Sequence, residues 1–381
     1  MRLCEKLQAA VAIPDFNNSF FRTVVWWARA PLFRLKVRRV DLRDVMGIAE
    51  RIWSNILCEF DTFGVRSMYM DKMPSFKKTR IAPTPSGYLH LGNVLSFALT
   101  AALARQTGAG ILLRIDDLDK GRVSRDYVED IFDTLSFLGI PWDEGPRSFS
   151  EYEREYTQLH RMDLYGEALR QLREKGKLFA CTCSRTQVLR DSPHGGYMGR
   201  CRDKGIPLDT EGCNWRISTE AAELVVKGIA GMAGGEEVRA ALPAEMTDFV
   251  VRKRDGYPAY QLTSVIDDLH YGIDLVVRGE DLWDSTLAQQ FLARELGRDE
   301  FSAIHFYHHL LVMDSGSEKL SKSAGATSVR WLREHGCQPA DVYTMILRML
   351  KMDFKAGSWE ELGARISQLT ADDGGFYPNG G

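Results

Sequence analysis

The chain has 381 residues with a formal net charge of −3, 44% hydrophobic and 27% charged. That length has room for about two or three domains, and its composition excludes disordered, collagen-like and coiled-coil chains. No run approaches the roughly 18 apolar residues of a membrane span, near-neutral charge argues against gripping nucleic acid by bulk electrostatics, and seven sparse cysteines point to thiols or a metal site in a reducing, cytoplasmic setting.

Residues 1–77 show neither a helical nor an alternating period, and they lack the apolar core of a secretory signal. Asp15, Asp41, Asp44 and Glu50 spoil an organellar transit peptide. The stretch reads as a poorly ordered extension, a small added domain, or sequence from a start codon placed too early. The last is favoured, because Met68, Met70 and Met73 stand just before the first clear strand.

From residue 79 the pattern becomes regular. A strand at 79–82 runs into a Pro/Gly turn, then an apolar helix at 91–106 that Thr107 and Gly108 end. A buried strand at 111–115, a helix at 127–138 and a long amphipathic helix at 151–175 follow. Beyond a cysteine-bearing segment come a flexible surface loop at 230–237 (AGMAGGEE), a strand at 249–254, an apolar run at 275–278 and a helix at 285–296. Strands alternating with helices across short turns predict an α/β fold with a doubly wound, largely parallel sheet. Two short helices, 329–335 and 342–351, precede a polar, Gly-rich tail at 352–381.

Three clusters carry chemistry. RIAPTPSGYLHLGN at 80–93 is a strand ending in a rigid turn that delivers His90 and Gly92 to the start of a helix. Free N–H groups and the helix dipole favour phosphate there, an imidazole can donate to it, and glycine admits a flat base. The plainer alternative is that His90 only caps the helix. EKLSKSAG at 318–325 sets Lys319 and Lys322 in a Gly-flanked loop suited to polyphosphate, although such a string alone is common on solvated surfaces. Cys181 and Cys183, one residue apart, and Cys201 can set three corners of a tetrahedral zinc site, with Tyr197, His194 or water as the fourth. The alternative is three ordinary thiols, and nearby Cys213 belongs to no pattern. Two weaker signals, Gly108 with Gly110 and the pair His308 and His309, read as structural, with one of the histidines packed inward and the other near the nucleotide.

The 80–93 and 318–325 strings together resemble the paired signatures of class I aminoacyl-tRNA synthetases. With LRIDD at 113–117 and VRGED at 277–281 they resemble the glutamyl branch. The resemblance implies a Rossmann catalytic domain over 78–351 with a zinc-bearing insertion at about 178–215. It implies a pocket for L-glutamate formed by Arg80, Ile81, Ala82, Pro83, Thr84, Asp116, Tyr260 and Arg278, and an ATP site at His90, Gly92, Asn93, Lys319 and Lys322. His90 and Lys322 would stabilise the reacting phosphates, with Mg²⁺ accompanying ATP. Asp116 stands where the family carries glutamate, which puts the hold on the substrate ammonium in doubt. Arg278 could instead pair with Glu280 or Asp281 on the surface.

The CxC…YxxxC arrangement, with Tyr197 completing a single structural zinc site, and too little chain after Lys322 for an anticodon-binding domain are similar to the glutamyl-queuosine tRNA(Asp) synthetases. The resemblance implies a monomeric ligase, free of membranes, that forms glutamyl adenylate and transfers glutamate to the queuosine base in the anticodon loop of tRNA(Asp). The alternatives are a truncated glutamyl-tRNA synthetase that charges the 3′ end of tRNA(Glu), and a catalytically silent glutamate-binding paralogue.

Overall fold

The computed structural model describes residues 74–119, 121–192, 196–229, 237–312 and 328–372. The expected extension thus lies outside the described residues except at its end. There Phe76 is buried, its ring 5.0 Å from that of His305.

Strand β1 (Lys78–Ile81) leads through the Pro/Gly turn to helix α1 (Leu91–Thr107), buried along most of its length and ended by Gly108 at φ 79°. Left-handed backbone of this kind suits glycine, which explains Gly108 without a dinucleotide. Strand β2 (Gly110–Leu113) returns parallel to β1, with Lys78 opposite Gly110 and Ile81 opposite Leu113. Helix α2 (Arg125–Leu138) starts at a Ser124 cap and ends at Gly139.

The long helix expected at 151–175 is broken. A turn at Phe149–Glu151 passes into a π-helical turn (Tyr152–Tyr156), an extended Thr157 and a 3-10 turn (Gln158–Arg161), so regular helix α3 begins only at Met162 and runs to Glu174. Asp117 imposes the break. Its carboxylate accepts from Tyr152 Oη (2.7 Å) and Gln158 N (2.9 Å), and Gln158 Oε1 accepts from Asp117 N (2.8 Å). A straight helix could not turn all these groups inward.

Strand β3 (Leu178–Cys181), helix α4 (Arg185–Asp191) and strand β4 (Asn214–Ile217) follow, then a hairpin of β5 (Glu223–Lys227) and β6 (Glu237–Ala241). The expected loop at 230–237 joins these last two and, Glu237 apart, lies outside the described residues. Strand β7 (Val250–Arg252) completes an antiparallel sheet in the order β3-β4-β7. After helix α5 (Tyr260–His270), strand β8 (Leu275–Gly279), helix α6 (Trp283–Leu296) and strand β9 (His305–His309) form a parallel βαβ unit.

Asp274 joins the two halves. Its N–H donates to Lys78 O (3.0 Å) and its carboxylate accepts from Lys77 and Lys78 N–H, which sets β1 beside β8. From β1 the chain proceeds outward to β2, and from β8 the other way to β9. The C-terminal ends of β1 and β8 therefore flank a topological switch point, where open α/β sheets form a crevice. β5 continues the sheet parallel to β9, with antiparallel β6 outermost. The sheets are thus mixed: parallel at the centre, in keeping with the largely parallel sheet expected, with antiparallel strands added by the residues between α2 and β8. Apolar cores lie around α1 and around α3 and α6.

Helices α7 (Val329–Glu334) and α8 (Pro339–Met349) match expectation, but the polar tail does not. Helix α9 (Trp359–Asp372) buries Trp359, Leu362 and Ile366, and Gly363 lies tight against Ala102 of α1. Spacing of i, i+3 and i+7 is an apolar stripe, sparse enough to hide among Glu360, Glu361 and Arg365. Residues 373–381 lie outside the described residues. No helix among those described is long and apolar enough to cross a membrane.

Candidate active site

A cavity of about 560 Å³ opens at the switch point. Arg80, Ile81, Ala82, Pro83, Thr84, His90, Gly92, Asn93, Asp116, Tyr260 and Arg278 all line it, so every candidate for glutamate or ATP within the described residues meets in one space. Lys319 and Lys322 lie outside the described residues. The residues flanking their segment do not: Val312 lines the cavity and Ser328 bridges to His90.

His90 caps α1. Its Nδ1 accepts from Gly92 N (3.1 Å), and its own N–H donates to Asn93 Oδ1 (3.1 Å). An accepting Nδ1 assigns the imidazole proton to Nε2, so the cap produces a donor tautomer. Capping and phosphate binding are compatible in one residue. A Cβ on Gly92 would stand 3.1 Å from the imidazole, so this glycine leaves room for the ring itself.

Arg114, to which the sequence assigned no role, is the hub of the pocket wall. It donates to both oxygens of Asp116 (2.8 and 3.1 Å) and to Asp268 Oδ1 (2.6 Å). Burial alone would lower its pKa, but Asp116, Asp268 and Asp267 outweigh burial and hold it well above the usual range. Burial pushes the Asp116 carboxyl up, with Arg114 opposing. Arg80 Nε lies 3.3 Å from Asp268 Oδ1, and its NH1 donates to Val277 O at 3.4 Å. Behind them Asp267 accepts from Arg161, Tyr165 Oη and Gln158.

Arg278 differs. It is 4% exposed, which removes the surface-cluster alternative, and it donates to Gln289 Oε1 (3.0 and 3.1 Å) and Thr286 Oγ1. Among the described residues its Nε has no hydrogen-bond partner and no carboxylate forms an ion pair with it. Burial pushes the guanidinium down to about 10. Neither Thr286 nor Gln289 was legible as a site residue. Tyr260, 42% exposed, stands at the rim. His308 packs inward, accepting or donating at Thr286 Oγ1 (2.7 Å), while His309 lines the cavity with Nε2 2.6 Å from Ser96 Oγ.

The thiols form a second centre. The Sγ atoms of Cys181, Cys183 and Cys201 lie within 4.8 Å of one another, with Cys183 and Cys201 3.6 Å apart. Tyr197 Oη lies 3.4 Å from Cys181 Sγ and accepts from Cys201 N at 2.7 Å. Sulfurs on a tetrahedral zinc with bonds of about 2.3 Å would be about 3.8 Å apart. The three thiols therefore fit a zinc ion, and the tyrosine oxygen lies beside them. Arg216 lies 3.8 Å above the Tyr197 ring in a cation–π contact. Cys213 turns away to Leu208 O, and His194 lies outside the described residues.

The family described as "tRNA synthetases class I (E and Q), catalytic domain" matches residues 77–358. A glutamyl-Q tRNA(Asp) synthetase of Symbiobacterium thermophilum is 35% identical over 277 residues, covering 69% of this chain and 83% of the relative. A protein of the same name from Pseudomonas fluorescens is 38% identical over 244 residues, 64% of this chain and 75% of its own. Glutamate–tRNA ligase 2 of Syntrophus aciditrophicus is 32% identical over 69% of this chain, which spans 55% of that longer protein. The crystal structure of the glutamate-tRNA synthetase from Elizabethkingia anophelis shares the fold, with a TM-score of 0.58 at 24% identity over 71% of this chain and 61% of that one. Switch-point cavity, signature residues and relatives agree, and the chain belongs to the class I tRNA synthetases of the glutamate and glutamine branch.

Proposed function

We propose that the protein activates L-glutamate with ATP and transfers it to the queuosine base of tRNA(Asp). Arg278 carries the choice of amino acid. A buried guanidinium whose hydrogen-bond partners among the described residues are neutral suits an anionic side chain, whereas a neutral amide would leave its charge uncompensated. An α-carboxylate oxygen of glutamate attacks the α-phosphorus of ATP, the bond to the β-phosphate oxygen breaks, and glutamyl adenylate and pyrophosphate result. His90, through Nε2–H, and Lys322 bind the phosphates as charge shifts onto pyrophosphate. Mg²⁺ bound with ATP would neutralise part of the phosphate charge. The relatives named for glutamyl-Q tRNA(Asp) support queuosine as the acceptor.

We also assign one structural zinc to Cys181, Cys183, Tyr197 and Cys201, since four protein ligands leave no open position for catalysis. Glutamate-dependent exchange of labelled pyrophosphate into ATP tests the activation step. Exchange with glutamate, and none with glutamine, is expected without any tRNA. Exchange driven equally by glutamine would contradict the role of Arg278.

A further inference from the structure

The geometry points to α7 as a clasp on the turn that carries His90, with Arg330 and Arg333 as positioning residues for the imidazole, an inference that rests on the ATP-dependent reading above. Residues 87–90 belong to no strand or helix; two sets of contacts from α7 and α2 hold them, and a third ties α7 to α2. Val329 N donates to Leu89 O (2.8 Å), and Ser328 faces His90 across an antiparallel bridge. Arg330 donates to Tyr88 Oη (2.8 Å) with its guanidinium 4.7 Å over the same ring, while Tyr88 meets Tyr127 of α2 edge-on at 4.9 Å. Arg333 reaches Asp130 Oδ1 (3.3 Å) and Asp133 Oδ2 (3.4 Å) on α2.

Asp130 is the telling residue. It occupies the buried face of α2 beside Val128, Ile131 and Leu135, and among the described residues its Oδ2 has no hydrogen-bond partner. Burial pushes its carboxyl up, opposed by Arg333 and by the backbone amide of Leu89. An apolar side chain there would serve stability at least as well, since a buried ion pair is seldom worth more than good packing. A carboxylate ties Arg333, and with it α7, to α2, which an apolar group would not do. Arg330 and Arg333 stay outside the cavity, so they act only through the turn. Displacing a phosphate-binding group by about 1 Å costs up to about a hundredfold in rate.

The test uses the full chain with Arg330→Ala, Arg333→Ala, the double variant and Arg330→Lys, each first checked for cooperative unfolding. In glutamate-driven exchange, the single alanine variants should raise KM for ATP about fivefold to tenfold while KM for glutamate stays within about twofold. Arg330→Lys should recover part of the loss, because a cation remains over the Tyr88 ring. Nitrogen-15 histidine spectra give an activity-free readout, with His90 assigned from its absence in His90→Gln. The expectation is an Nε2–H tautomer in the unsubstituted protein and mixed tautomers in the double variant. Both KM values moving together, or an unchanged ATP KM with an unchanged His90 tautomer, overturns the clasp. A tautomer shift in a protein with no glutamate-driven exchange would support the clasp and overturn the activation reading.

Discussion

Arg80 and Arg278 enter the cavity from neighbouring strands, but their surroundings differ. Arg80 already faces Asp268, which also receives Arg114, so its charge is largely balanced. Arg278 donates to the neutral Gln289 and Thr286, and among the described residues no carboxylate forms an ion pair with it. Binding of a second carboxylate should therefore depend chiefly on Arg278. Removing one partner of a buried charge pair costs about 3–5 kcal/mol, so Arg278→Ala should raise KM for glutamate about a hundredfold or more in the exchange assay. Arg278→Lys should recover little, because one ammonium cannot span both carboxylate oxygens. An Arg278→Ala protein with unchanged glutamate KM would contradict the assignment. Asp116 shows how the pocket differs from the simplest expectation: both its oxygens are engaged by Arg114, so any hold on a substrate ammonium comes from the Arg114–Asp116 pair and not from a lone carboxylate.

At the scale of elements, strands and turns bearing motif residues were legible because each needs a particular residue type at a particular bend. His90 must start a helix, and Arg278 must end a buried strand. What escaped was non-local. The break at 152–161 depends on Asp117, which is 35 residues from Tyr152 and 41 from Gln158, so no local period reveals it. Thr286 and Gln289 are polar residues on a helix, indistinguishable in sequence from a solvated face. Helix α9 hid behind a sparse stripe. An alanine inside a helix is ordinarily favoured over glycine by about 1 kcal/mol. Gly363→Ala should instead destabilise by about 1–3 kcal/mol in denaturant unfolding, because its Cβ would stand 2.3 Å from that of Ala102. A stabilised variant would show that α9 does not pack on α1. The thiol cluster predicts about one zinc per chain by metal analysis, with Cys183→Ser losing the metal and unfolding at lower temperature. Purified protein without zinc and with freely reactive thiols would sink that assignment.

For the whole molecule, the two halves meet where β1 and β8 run side by side, and the cavity, the His90 turn and both arginines belong to that junction. The proposed activation uses this junction together with Lys322 and calls on no RNA group, so adenylate should form without RNA. Choosing an acceptor is a separate property, in which relatives named for glutamyl-Q tRNA(Asp) and for glutamate–tRNA ligation differ. Labelled glutamate offered with ATP to purified tRNA(Asp) and tRNA(Glu), each with and without queuosine where it occurs, tests this most directly. Label on queuosine-containing tRNA(Asp) alone is the predicted result, and label on the 3′ end of tRNA(Glu) would contradict it.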